Sequence, residues 1–289
     1  MRAFAEFVMR GRMQATLGVV GSAAFPLLCW LSAAGGSLVL LRRGLADASG
    51  ILFWASLPAL LWWYLGNSSV FLIMAGTVAL AQVLRSTASW TRVLLSSVLL
   101  GAVFVLVLST VSGEFIEPLA ERIRSSLPQL LGSASAEELA AVQESLIPAL
   151  TGAMASSLQV TSLLCLALAR YWQAALYNPG GFGQEFRAIR LSPVASVALL
   201  LGMLFAPSLG PQAAMLATVF TVPLLFAGVA LGHGLIAMKR LSSFWVFGLY
   251  VAVLLLGNLI CLLAVIDGLF DFRGRLARKN GAGPANGEG

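Results

Sequence analysis

Apolar residues run in long unbroken blocks along this chain, and polar residues collect in short islands between them. The blocks cover about 14–41, 51–65, 69–84, 92–110, 149–169, 193–209, 213–238 and 243–266. Several of them approach or exceed the roughly 20 residues that carry an α-helix across a bilayer. A spanning β-barrel would instead show short segments of alternating polarity, and these runs are continuous and rich in Leu and Ala. The pattern predicts an all-α, polytopic helical membrane protein of about eight or nine hydrophobic helices, including short hairpins or a broken first segment. One helical transmembrane domain is expected over 1–279, with a disordered Gly/Pro/Asn-rich tail over 280–289.

The first block is long for one crossing: at 1.5 Å per residue it measures roughly 42 Å against a hydrocarbon core of about 30 Å. Pro26 sits in its middle and Gly35-Gly36 follows, while Arg10 and Arg12 precede it and Arg42-Arg43 close it. Positive residues favour the cytoplasmic side, which fits a hairpin or re-entrant pair; one tilted, kinked helix is the alternative. Residues 1–13, with Arg2 against Glu6, are expected to anchor this segment in the cytoplasm. Blocks 51–65 and 69–84 form a second hairpin around Gly66-Asn67-Ser68, a turn composition, and Trp54, Trp62, Trp63 and Tyr64 have the character of interfacial aromatics.

Residues 111–148 carry Glu114, Glu117, Glu121, Glu137, Glu138 and Glu144 against Arg122 and Arg124, so this amphipathic loop is expected on the outer side. Ser135 and Glu138 have the spacing of a capping box, opening a helix that continues through Pro148. In that helix Ala149, Ala153, Ser157 and Thr161 recur every fourth residue, and Gly18 and Ser22 repeat the spacing in the first block. Small residues at this interval let helices approach closely. Packing within the chain is the expected use, docking of a second membrane protein the sharper one.

The richest polar island is Arg170–Ser192. Asn178-Pro179-Gly180-Gly181 is turn chemistry. After it Phe182, Phe186 and Ile189 share one helical face, and Arg187 and Arg190 another. A short interfacial helix follows, its apolar side in the headgroups, with Tyr171, Trp172 and Tyr177 at the same depth and the whole 170–192 motif loop cytoplasmic. His233 in Gly232-His233-Gly234 is the single histidine, and an ionisable residue in a membrane helix is a functional candidate. Gln82, Gln159 and Asn258 are the other candidates for buried polar groups.

Composition narrows the classes further. Hydrophobic residues make up 59% and charged ones 10%, against about a quarter charged in soluble domains; the mean hydropathy is +0.90. The net charge of +6 reads as loop charge facing an anionic leaflet. No basic cluster with interleaved aromatics points to nucleic acid. Cys29, Cys165 and Cys261 are scattered through apolar blocks without a CxxC, so neither a disulfide framework nor a metal site is expected. No HExxH, no GxSxG and no paired carboxylates occur within a span, so no enzyme and no cofactor is expected. The charges conflict at one point: a cytoplasmic N-terminus with a first hairpin gives nine crossings and an outer C-terminus, yet Arg273, Arg275, Arg278 and Lys279 favour the inside. Either 14–41 or 243–266 must then enter and return.

The elements Tyr177-Asn178-Pro179-Gly180-Gly181-Phe182, Glu185-Phe186-Arg187 and Arg190-Leu191-Ser192 resemble the signature of the YybS-like family. Arg42-Arg43-Gly44, His233 and the ending Asp267…Asp271-Phe272-Arg273 are also similar to it. Those are integral membrane proteins of bacteria whose function is unknown and which resemble the substrate-binding S-components of energy-coupling-factor transporters. S-components dock their transporter through an Ala-xxx-Ala row in the first helix, where this chain has Gly18-xxx-Ser22. The resemblance implies the bacterial inner membrane, a helical fold, and small-molecule binding or transport. A scaffold or regulatory subunit for an envelope protein is the alternative. The lipid bilayer, a small-molecule substrate and a membrane protein partner are the expected partners. Tyr177, Asn178, Pro179, Gly180, Gly181, Phe182, Glu185, Phe186, Arg187, Arg190 and His233 are the candidates for ligand or docking contacts.

Overall fold

In the computed structural model of the chain, residues 2–111, 113–130 and 135–275 are described; the expected disordered tail, 280–289, lies outside them. Secondary structure among the described residues is helical, without a strand: α1 (Arg2–Arg10), α2 (Arg12–Ala23), α3 (Cys29–Arg43), α4 (Leu45–Tyr64), α5 (Ser69–Thr87), α6 (Trp90–Val111), α7 (Gly113–Leu130), α8 (Ala136–Tyr177), α9 (Gly181–Arg187), α10 (Pro193–Phe205), α11 (Pro211–Met238) and α12 (Phe244–Phe270). Six of them, α4, α5, α6, α8, α11 and α12, are long and apolar enough to cross a membrane, and Pro193–Leu209 is a shorter apolar segment. This is the make-up of a helical, multi-pass membrane protein.

The first apolar block is a hairpin. Pro26 cannot donate a backbone hydrogen bond, so α2 stops at Ala23, a 3-10 turn covers Pro26–Leu28, and α3 starts at Cys29. The two arms lie side by side, because a Cβ on Gly35 would stand 3.3 Å from Val19. Arg43 donates to the Met9 carbonyl (2.9 Å), which puts both open ends together. Trp62 donates to the Ala24 carbonyl (3.0 Å) and ties the tip to the far end of α4. α1 is more than a basic anchor: Ala5 and Val8 are fully buried, and Phe4 and Val8 cover Gly18. The Gly18-xxx-Ser22 row is therefore packed inside the chain, and the Ser22 hydroxyl donates to the Gly18 carbonyl (2.7 Å).

α12 also turns back. Its backbone leaves helical geometry at Leu256 (φ −130°, ψ 34°). Before the bend, Leu249 lies against Gly232 and Tyr250 against His233; just past it Ile260 lies against Gly228 and Cys261 reaches the Thr221 carbonyl (3.9 Å). After it Gly268 returns to Ser196 and Leu191, and Arg273 returns to Gly234. Both ends of α12 thus stand beside the C-terminal half of α11. The first apolar block and α12 each bring their two ends to the basic end of the bundle.

α8 measures roughly 63 Å at 1.5 Å per residue, about twice the hydrocarbon core, so its N-terminal part projects beyond the apolar bundle with α7 beside it. Ser135 and Glu138 form the expected capping box: the Ser135 hydroxyl accepts from the Glu138 amide (3.2 Å) and the Glu138 carboxylate from the Ser135 amide (2.7 Å). The helix runs on through Pro148.

Two expectations are corrected. Ala149, Ala153 and Ser157 are exposed, and Thr161 is half-buried, so this row does not pack within the chain. The close approach runs one residue away, where Thr218 donates to the Gly152 carbonyl (2.8 Å) and a Cβ on Gly152 would meet the Met215 backbone oxygen at 2.7 Å. Of the buried polar candidates, Gln82 and Asn258 are exposed. Gln159 is buried and donates to Ser97 (3.0 Å) at the contact of α6 and α8. One step around a helix is 100°, enough to move a residue from a contact to the outer face.

Two measurements test this architecture. With Cys29, Cys165 and Cys261 replaced by Ala, single cysteines at Gln184 and Arg275 should be labelled by an impermeant thiol reagent from one side of the membrane and one at Glu137 from the other; opposite sides for Gln184 and Arg275 would mean that α12 crosses. Gly152→Leu should lower thermal stability in detergent by about 1–3 kcal/mol through overpacking, whereas Ala153→Leu should leave it within about 0.5 kcal/mol.

Candidate functional site

The Arg170–Ser192 island folds as a turn and a short helix laid over the basic end of the bundle. α8 ends at Tyr177. Pro179 lacks the amide that would continue the helix, and Gly180 takes the left-handed conformation (φ +86°). A Cβ at Gly180 would meet nothing within 4 Å, so glycine is favoured there by backbone geometry alone. The Gly181 amide donates to the Asn178 carbonyl (3.0 Å) and closes the turn into α9. Arg42 stacks over the Tyr177 ring at 4.1 Å, holding the end of α8 to α3.

The apolar side of α9 does not face headgroups. Phe182 packs edge-on against Trp90 and Tyr171, Phe186 against His233, and Ile189 is buried. Trp172 is buried too, beside Phe4 of α1, rather than placed at an interface with Tyr171 and Tyr177. The apolar face of this seven-residue helix is covered by protein, with Trp90 of α6, Tyr171 of α8 and His233 of α11 against it.

The polar residues of the island divide into struts and one remainder. Glu185 is a strut: Arg170 pairs with both its oxygens, and Trp90 donates to it (3.4 Å). Arg190 pairs with Asp271 (3.1 Å) and donates to the carbonyls of Asp267 (3.2 Å) and Gly268 (3.0 Å). Arg273 lies between the Asp267 carboxylate (2.8 Å) and the carbonyls of Arg187 (2.5 Å) and Ile189 (2.6 Å). Asp267 is buried within the returning arm of α12 rather than in a tail. Arg187 is exposed, donates to the Gly183 carbonyl (2.7 Å), and pairs with no carboxylate among the described residues.

Arg187 stands at a cleft of about 630 Å³ between α8, α9, α11 and the first arm of α12. Its deep part is apolar, lined by Leu164, Leu225, Phe226, Val229 and Val253; Phe182 and Phe186 form one flank. Inside it the imidazole Nε2 of His233 lies 3.2 Å from the Tyr250 hydroxyl, with the rings 5.7 Å apart. A second cleft of about 570 Å³ shares Arg187 and Ala237 with the first and is lined by Arg190, Asp271 and Arg273. Of the sequence candidates, Phe182, Phe186, Arg187 and His233 therefore meet at one cleft, with Arg190 at its neighbour. Tyr177, Asn178, Pro179, Gly180, Gly181 and Glu185 build the turn and its support. Tyr250 is the partner that sequence reasoning missed; it lies 17 residues from His233 in a different apolar block. Chemically, the cleft offers a cation, a hydroxyl–imidazole pair that can donate or accept, and a large apolar lining. Among the described residues no cluster of three or more His, Cys, Asp or Glu could hold a metal ion.

No protein-family model, curated protein or solved structure matches the chain.

The division between struts and remainder is testable by thermal unfolding in detergent. Arg273→Ala leaves the Asp267 carboxylate buried and unpaired and should cost roughly 3–5 kcal/mol. Arg187→Ala removes an exposed charge and should change stability by less than about 0.5 kcal/mol. Equal losses would show Arg187 to be structural as well.

Proposed function

We propose that this chain is a multi-pass protein of the bacterial cytoplasmic membrane that binds a small molecule in the cleft between α8, α9, α11 and α12. The observation that carries the reading is the cleft: about 630 Å³, within the roughly 300–1,000 Å³ range of small-molecule sites, with the His233–Tyr250 pair set into an apolar lining and Arg187 at its edge. Binding of this kind is what the YybS-like and S-component resemblance implies, and a role in transport follows from it. The N-terminus and the Arg170–Ser192 island lie in the cytoplasm in this reading, because the basic residues cluster there and the acidic α7–α8 projection is at the other end. With the first block and α12 both returning, the eight or nine hydrophobic helices comprise full crossings and half-crossing arms.

One observation favours the second reading, a scaffold or regulatory subunit. The Ala149, Ala153, Ser157 row is exposed along α8, the placement that suits the approach of another membrane helix.

Purification in mild detergent with mass spectrometry of all that accompanies the protein separates the two. A small molecule should accompany the wild type and be lost from Val229→Trp, which fills the cleft. A protein at fixed stoichiometry, unaffected by Val229→Trp and released by Ala153→Leu, would replace the binding reading with the scaffold one.

A further inference from the structure

We propose that the cleft takes an amphiphile with an anionic head on an alkyl chain, the head at Arg187 and the chain running down α11 toward Leu225. This rests on the cleft being a small-molecule site and names the chemistry of its ligand.

Three observations lead there. First, the polar groups of the lining sit toward one end. From the mouth inward α11 contributes Ala237 and Ile236, then His233, then Val229, then Phe226 and Leu225. Arg187 stands at the mouth and Tyr250 faces His233, so Arg187, His233 and Tyr250 lie in the outer half and the inner half is apolar. From Ala237 to Leu225 the helix rises about 18 Å, a little more than half of the roughly 30 Å hydrocarbon core. The cleft is therefore about as deep as one leaflet, the length scale of an acyl chain rather than of a compact polar solute.

Second, the charge at the mouth is uncompensated. Arg170 has Glu185, Arg190 has Asp271 and Arg273 has Asp267; Arg187 has no carboxylate partner among the described residues, and its bond to the Gly183 carbonyl engages Nε. The Nη groups of a guanidinium bind a phosphate or carboxylate with charge-assisted hydrogen bonds. The arginines of the adjoining cleft, Arg190 and Arg273, are already held by Asp271 and Asp267, so Arg187 is the guanidinium at the mouth that can take up an anion.

Third, the hydroxyl–imidazole pair sits one to two turns below the mouth. An ester or amide oxygen near the head of an amphiphile would fall at that depth and find a donor in either Tyr250 or His233. A purely apolar chain would leave the pair unused, and a wholly polar ligand would leave the inner half of the cleft empty of matching contacts.

The shared chemistry admits two sources, an anionic phospholipid of the bilayer or a free single-chain amphiphile. Binding to the purified full-length chain in neutral detergent should be measured by thermal shift and native mass spectrometry, with tetradecyl phosphate, tetradecanol, phosphatidylglycerol and inorganic phosphate as probes. Tetradecyl phosphate should stabilise the protein and bind at least tenfold more tightly than tetradecanol, and inorganic phosphate should produce no shift. Arg187→Gln should remove that tenfold preference and leave tetradecanol binding unchanged; its unperturbed melting temperature without ligand checks the fold. Phosphatidylglycerol that competes with tetradecyl phosphate and needs Arg187 identifies a bilayer source, and failure to compete identifies a free amphiphile. Equal affinity for tetradecyl phosphate and tetradecanol, or an unchanged preference in Arg187→Gln, would overturn the inference. If no probe binds while another small molecule accompanies the wild type and not Val229→Trp, the amphiphile is wrong and the small-molecule site stands. If nothing accompanies the wild type either, both readings fall.

Discussion

Four guanidinium groups at the basic end satisfy backbone carbonyls at the ends of helices other than their own, and much of the structure depends on them. Arg43 donates to Met9 at the end of α1, and Arg85 to Leu40 and Leu41 at the end of α3 (3.1 and 2.6 Å). Arg190 donates to Asp267 and Gly268 at the end of α12, and Arg273 to Arg187 and Ile189 at and beyond the end of α9. The last carbonyls of a helix have no partner within it, and near a bilayer water cannot be relied on to supply one. A guanidinium carries five donors and stays charged, and a cation is also favoured at the negative end of the helix dipole. Side chains that look like a positive-inside signal in the sequence are thus also the caps of a set of interrupted helices.

Those caps make the two returning segments tolerable. The α2–α3 hairpin and the bent α12 each bring two helix ends to the same side, which doubles the number of ends to be satisfied there. Arg43 and Arg85 serve the first, Arg190 and Arg273 the second. The buried Asp267–Arg273 pair has a further consequence. Burying two charges costs more than their attraction returns unless the remaining hydrogen-bonding capacity is used, and Arg273 uses it on two carbonyls of the α9 segment. The pair therefore fastens the returning arm of α12 to α9, and that junction forms the floor of the arginine-lined cleft.

The larger cleft follows from the same geometry. The bend at Leu256 divides α12 into two arms, the first of which meets α11 at Gly232 and His233. Space opens between that arm, α9 and α8, and α9 covers one flank with Phe182 and Phe186. The polar pair His233–Tyr250 is stable in such a place because each group satisfies the other, where either alone would carry an unpaired polar atom in apolar surroundings.

The sequence by itself determined the class of this protein and many of its local events. Block length and continuity gave helices, Gly66-Asn67-Ser68 and Asn178-Pro179-Gly180-Gly181 gave turns, and Ser135 with Glu138 gave a capping box, because each of these depends on residues within a few positions of one another. Charge asymmetry required a returning segment without choosing between 14–41 and 243–266. Only the tertiary structure decided that both return, since Leu256 carries no proline to announce its bend. It also decided which helix face is covered: Ala149, Ala153 and Ser157 lie outside while Gly152 meets α11, and Gly18 is hidden by an N-terminal helix whose buried Ala5 and Val8 look unremarkable among basic neighbours. The separation of Arg187 from Arg170, Arg190 and Arg273 was likewise invisible, because their partners are 6 to 81 residues away in the chain. Local physics writes turns and caps into adjacent positions; the partner of a charge and the covered side of an apolar helix exist only once distant segments have met.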